Sequence, residues 1–112
     1  MTTLRNYKSE TTEPAPLVIG LPGFVHKKEY TRIDSLLEKL SQIGITGARV
    51  TYSPITVEDN GRTIRCNFNL ETYVTDFRET LKQLTADPTI DATKIAVVSS
   101  SVGASVFAHH VA

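Results

Sequence analysis

The chain has no tryptophan, one cysteine (Cys66) and one methionine (Met1) in 112 residues. A lone cysteine cannot close an internal disulfide, which excludes the disulfide-stapled secreted scaffolds and points to the cytoplasm. Net charge is missing too. Twelve basic and 12 acidic residues cancel with no block of one sign, so the chain has no electrostatic claim on nucleic acid or an anionic membrane. No apolar stretch approaches the ~18 residues of a membrane span, and residues Met1 to Lys8 lack the apolar centre of a signal peptide. Metal-ligand spacings are absent, as are Gly-x-Gly-x-x-Gly and the Gly-Lys-Ser/Thr phosphate loop. No cofactor, metal, nucleic acid or membrane is therefore expected as a partner. Internal repeats and low-complexity segments are lacking as well.

What remains is an ordinary globular composition, 40% hydrophobic, sized for one small domain. Residues 1–16 form a polar lead-in whose Pro14 and Pro16 should interrupt any regular ladder. From 17 to 112 the order of elements is regular. Leu17-Val18-Ile19 reads as a buried strand running into the turn Gly20-Leu21-Pro22-Gly23-Phe24. Ile33, Leu36, Leu37, Leu40 and Ile43 make one helical stripe, with Thr31 as the expected N-cap and Gly44 as the stop. Gly47 to Tyr52 reads as a second strand ended by Pro54. Ser53 to Asn69 has no clear period, apart from a turn at Asn60-Gly61. Leu70, Tyr73, Val74, Phe77, Leu81 and Leu84 repeat at helical spacing, and Pro88 closes that helix. Ile95 to Val98 is the third strand, and Val102 to Ala112 the third helix. Strands joined through helices run parallel, so the expected fold is three-layer α/β/α, with the apolar first and third strands buried on both faces.

The third strand ends in Ser99-Ser100-Ser101-Val102-Gly103. A serine presented on a sharp strand-to-helix turn needs small residues two before and two after it, and it sits in a strained conformation. The helix that follows aims its N–H groups and positive dipole end at the same point. Ser101, between Ser99 and Gly103, meets these demands. Ser100 would need Val102 in a small place, Ser99 would need Ser101 there, and Ser105 meets Phe107. The plainer alternative is a polar strand end whose serines cap a helix.

With these elements in order, the chain resembles the α/β-hydrolase superfamily from about Leu17 to the C-terminus. Ser99-Ser100-Ser101-Val102-Gly103 is similar to the Gly-x-Ser-x-Gly elbow, with serine in place of the first glycine. Asp91-Ala92-Thr93-Lys94-Ile95 looks like the lead-in to the strand before it. Leu21-Pro22-Gly23-Phe24 resembles the His-Gly-aromatic turn, with Pro22 where histidine is usual. The resemblance implies the front half of a hydrolase of ester, thioester or amide bonds, acting on a small acyl substrate. Ser101 would be the nucleophile, and the backbone N–H groups of Val102 and Phe24 the oxyanion hole.

In that family an acid and then a histidine follow the serine. After Ser101 there is no Asp or Glu. His109 and His110 would lie about 12 Å along the helix at ~1.5 Å per residue, too far to act as its base. His26 reads as a solvated loop histidine, Asp59 and Asp76 as surface carboxylates, and Cys66 as a loop or partly buried thiol. The chain therefore reads as the N-terminal portion of a hydrolase whose acid and histidine lie beyond residue 112. The last strand would then leave an apolar sheet edge to be covered by the remaining half of the fold or by a second copy. Two alternatives stay open: a non-catalytic scaffold with this fold, and a flavodoxin- or Rossmann-like binder of nucleotide or phosphate at one of the two turns.

Overall fold

The computed structural model describes residues 3–8, 13–23, 27–53, 57–62 and 64–112. Six strands and three helices alternate along the described residues: β1 (Thr3–Tyr7), β2 (Ala15–Leu21), α1 (Lys27–Ser41), β3 (Thr46–Thr51), β4 (Val57–Asp59), β5 (Ile64–Cys66), α2 (Leu70–Thr85), β6 (Ile90–Ser99) and α3 (Val102–Val111). The main sheet has the order β1-β3-β2-β6. β2 pairs in parallel with β3 and β6, whereas β1 runs antiparallel to β3. The parallel α/β core is the expected one.

Period-two alternation along the central strands sorts the side chains between two faces. Leu17, Ile19 and Leu21 of β2 join Ala48 and Val50 of β3 in one core with Tyr73, Val74 and Phe77 of α2 and Val106 of α3. Gly20 and Gly47 look the other way, toward α1. A Cβ built on Gly20 would lie 2.4 Å from Ile33 Cγ2, and one on Gly47 would lie 2.8 Å from Leu37 Cβ. The absence of those side chains lets α1 settle closely on the sheet. Arg49 lies on this face, buried, with its Nε 2.9 Å from Asp34 Oδ1 and its guanidinium 4.1 Å above the Tyr30 ring. One helix therefore covers one face, and two cover the other.

Local signals account for the helix ends. The Asn69 side chain accepts from the N–H groups of Glu71 (2.9 Å) and Thr72 (3.3 Å), which caps α2. α1 stops where Gly44 turns to φ 91°, allowing the Ile45 N–H to reach the Leu40 carbonyl and the Gly44 N–H that of Ser41. Beyond α2, the hydroxyl and then the N–H of Thr89 hold the Asp87 carboxyl below its ordinary pKa, and Thr93 does the same for Asp91. The first pair lies in the turn before β6 and the second within the start of that strand.

Five expectations are corrected. The polar lead-in contains β1, and β2 starts already at Ala15. Pro16 is tolerated because the ladder with β6 shifts register between Ala15 and Leu17, where the missing N–H is not needed. α1 begins at Lys27, so Thr31 is inside the helix and does not cap it. Residues 53–69 hold the antiparallel pair β4–β5, and Asn60-Gly61 lies between the two strands as a turn should. The third strand runs from Ile90 and is not buried on both faces: β6 is the outer strand of its sheet, and Val98 is 36% exposed. Asp76 is buried and not a surface group.

Candidate active site

The turn between β6 and α3 is built against the end of β2. The Ser100 N–H donates to the Leu21 carbonyl at 3.1 Å, carrying the β2–β6 pairing one residue past the strand. The chain then reverses at Ser101, with φ 51° and ψ −119°. Among the described residues Ser101 alone is a non-glycine with positive φ. A serine in that region costs of order 1–3 kcal/mol, and the surrounding contacts must impose it.

Gly103 is one of those contacts. A Cβ there would fall 2.1 Å from the Leu21 carbonyl oxygen and 2.9 Å from that of Pro22, both fixed backbone atoms. Only glycine allows α3 to start this close to β2. Ser99, in contrast, is exposed, so the hydroxymethyl group standing where the family pattern has glycine finds room.

The N–H groups at this helix start are divided between two uses. Gly103 and Ala104 donate to the carbonyls of Ser100 (2.9 Å) and Ser101 (3.0 Å) in a tight first turn. The Val102 N–H takes no part in that turn and stands at the positive end of α3 beside the exposed Ser101. The Ser101 hydroxyl makes no capping bond. A hydroxyl and a backbone donor thus lie side by side at a helix N-terminus, an arrangement able to hold a group that develops negative charge on oxygen.

Phe24 and His26 lie outside the described residues. The turn leading to Phe24 is described up to Gly23, and both Pro22 and Gly23 are buried. The Pro22 carbonyl accepts from the Tyr52 hydroxyl at 2.9 Å. No sequence motif singles out Tyr52, because nothing local marks a bond that spans 30 residues.

The remaining expected residues stand apart. His110 is at the far end of α3, where its Nδ1 accepts from Arg78 Nε at 3.1 Å and its ring meets Phe77 edge-on. His109 is exposed beside it. A groove of about 440 Å³ lies at that same far end, lined by Arg78, Leu81, Lys82, Thr85, Ile95 and His110, away from Ser101. Asp76 is buried because its carboxylate accepts from both the N–H (2.7 Å) and the hydroxyl (2.9 Å) of Ser53. It therefore ties α2 to the segment after β3. Asp59 and Cys66 belong to the β4–β5 pair. No cluster of three or more His, Cys, Asp or Glu able to hold a metal ion occurs among the described residues, and no described helix is long and apolar enough to cross a membrane.

The parallel strands with helices on both faces match the front part of the α/β-hydrolase fold. Comparison with known proteins finds the same fold in part of several solved esterases. The chain superposes on Est1E from Butyrivibrio proteoclasticus with a TM-score of 0.70 and 18% identity, over 97% of this chain and 39% of that one. A ferulic acid esterase from Streptomyces cinnamoneus matches with a TM-score of 0.67 and 24% identity, over 90% and 34%. An acetyl ester-xyloside bifunctional hydrolase from Caldicellulosiruptor lactoaceticus matches with a TM-score of 0.69 and 18% identity, over 92% and 35%. The chain thus spans roughly a third to two-fifths of the length of these structures, and at such identities the likeness is one of fold. No protein-family model and no curated protein matches the sequence.

Proposed function

We propose that this chain is the nucleophile-bearing part of a serine hydrolase that cleaves an ester of a small acyl substrate. The observation that carries the reading is Ser101 itself: a strained, exposed serine at a strand-to-helix turn, with no capping bond to explain it. The esterase names of the structural neighbours support an ester over a thioester or amide.

In this reading Ser101 Oγ attacks the acyl carbonyl carbon and its proton passes to a histidine beyond Ala112, held by an acid that also lies further on. The carbonyl oxygen becomes an oxyanion stabilised by the backbone N–H groups of Val102 and Phe24. The histidine returns the proton to the departing alkoxide, and water then cleaves the acyl-serine by the same steps in reverse. The short span relative to the solved esterases fits an acid and a base supplied elsewhere. The lone cysteine fits a cytoplasmic setting.

The test is active-site labelling of the complete gene product with a fluorophosphonate. Mass spectrometry should find the adduct on Ser101. Ser101→Ala should abolish it and lower ester hydrolysis on the order of a millionfold. A complete protein that binds no label at Ser101 and cleaves no ester would favour the non-catalytic scaffold.

A further inference from the structure

We propose that Tyr52 is a positioning residue of this site, locking the peptide that leads into the oxyanion turn with its carbonyl facing the core. The inference rests on the Ser101 reading above and adds a role to a residue far from the serine in sequence.

Tyr52 lies just past β3, 4% exposed, and its hydroxyl donates to the Pro22 carbonyl across a buried 2.9 Å contact. The ring is held firmly. Tyr73 of α2 stacks on it with centroids 3.9 Å apart and planes 2° from parallel, and Phe68 meets Tyr73 edge-on at 4.9 Å. The next residue, Ser53, is fixed by two hydrogen bonds to the buried Asp76. The phenol oxygen therefore has little freedom, and neither has the carbonyl it holds.

A planar peptide carries its C=O and N–H in opposite directions. Holding the Pro22 oxygen inward sets the plane of the Pro22–Gly23 peptide. Glycine at 23 has no Cβ to oppose a flip of that plane. A flipped peptide would turn a carbonyl oxygen, an acceptor, toward the place where donors must meet an oxyanion. The Pro22 oxygen also faces Gly103 at the start of α3, so one tyrosine braces both sides of the site. Such a group acts on the transition state more than on substrate binding, because the charge on oxygen appears only there.

The experiment compares wild type, Tyr52→Phe and Asn69→Ala in the complete gene product, using p-nitrophenyl acetate hydrolysis and the rate of fluorophosphonate labelling. Folded fraction is read by far-UV circular dichroism. Tyr52→Phe keeps the ring and its stack and removes only the hydroxyl. Its kcat and labelling rate should fall about tenfold, with KM within twofold. Asn69→Ala, which loosens the cap of α2, should lower the thermal midpoint and leave kcat unchanged, separating positioning from plain loss of stability. A kcat within twofold of wild type in a Tyr52→Phe protein that still labels at Ser101 would overturn the role of Tyr52 and leave the hydrolase reading standing. A rise in KM at constant kcat would also overturn it, because the hydroxyl would then serve binding. A wild type that neither labels nor hydrolyses would overturn both.

Discussion

Helices α2 and α3 are entered in opposite ways. Asn69 before α2 is extended (φ −134°, ψ 114°), and its side chain satisfies two backbone N–H groups. Ser101 before α3 holds φ 51° and ψ −119°, and its side chain satisfies none. Serine caps helices well and could have done what Asn69 does. It adopts instead a costlier backbone, is exposed, and makes no capping bond. The first entry is optimised for the helix. The second is optimised for something the helix does not need.

The contrast can be broken most severely at Gly103. Gly103→Ala should cost about 3 kcal/mol in chemical denaturation, because the new methyl meets fixed carbonyls of Leu21 and Pro22. A cost near zero would mean that the turn can open and that its strain is not imposed. Next in size, Asn69→Ala should lose about 1 kcal/mol, while Ser101→Ala changes stability by a few tenths at most. Equal losses at both positions would restore the capping explanation for Ser101. The smallest effect sharpens the comparison from the other side. Ser101→Gly should gain about 0.5–1 kcal/mol, the relieved strain exceeding the added freedom of the unfolded chain. The same change should remove any fluorophosphonate label, so stability and chemistry would move in opposite directions.

Much of this architecture is legible in the residues alone. Apolar periodicity carries the alternation of strands and helices, and counting small neighbours separates Ser101 from Ser99, Ser100 and Ser105. The positive φ at Ser101 and the contact at Gly103 match that count. What escapes the sequence depends on partners distant along the chain. β1 has no apolar run to reveal it, and it pairs with a strand far downstream (Thr3 opposite Thr51, Tyr7 opposite Gly47). Pro16 argues against a strand because a register shift at that residue is invisible in the sequence. Asp76 looks like any carboxylate on an amphipathic helix until Ser53 is brought to it. β6 reads as doubly buried because its apolar run matches that of β2, although the open edge expected of the last strand is where the described sheet has it, with β2 central and β6 outermost. Apolar content reveals a strand's type, whereas its neighbours decide its exposure.

The stacked rings of Tyr52 and Tyr73 have an optical consequence. These 112 residues contain no tryptophan to mask tyrosine, and only four tyrosines. Two of them are locked face to face at 3.9 Å in an asymmetric core, where their transition dipoles couple. The phenol of one is bonded to the turn beside the candidate nucleophile. The site therefore contains its own chromophore pair, and the near-ultraviolet spectrum of this stretch reads out the order of that turn without any added probe.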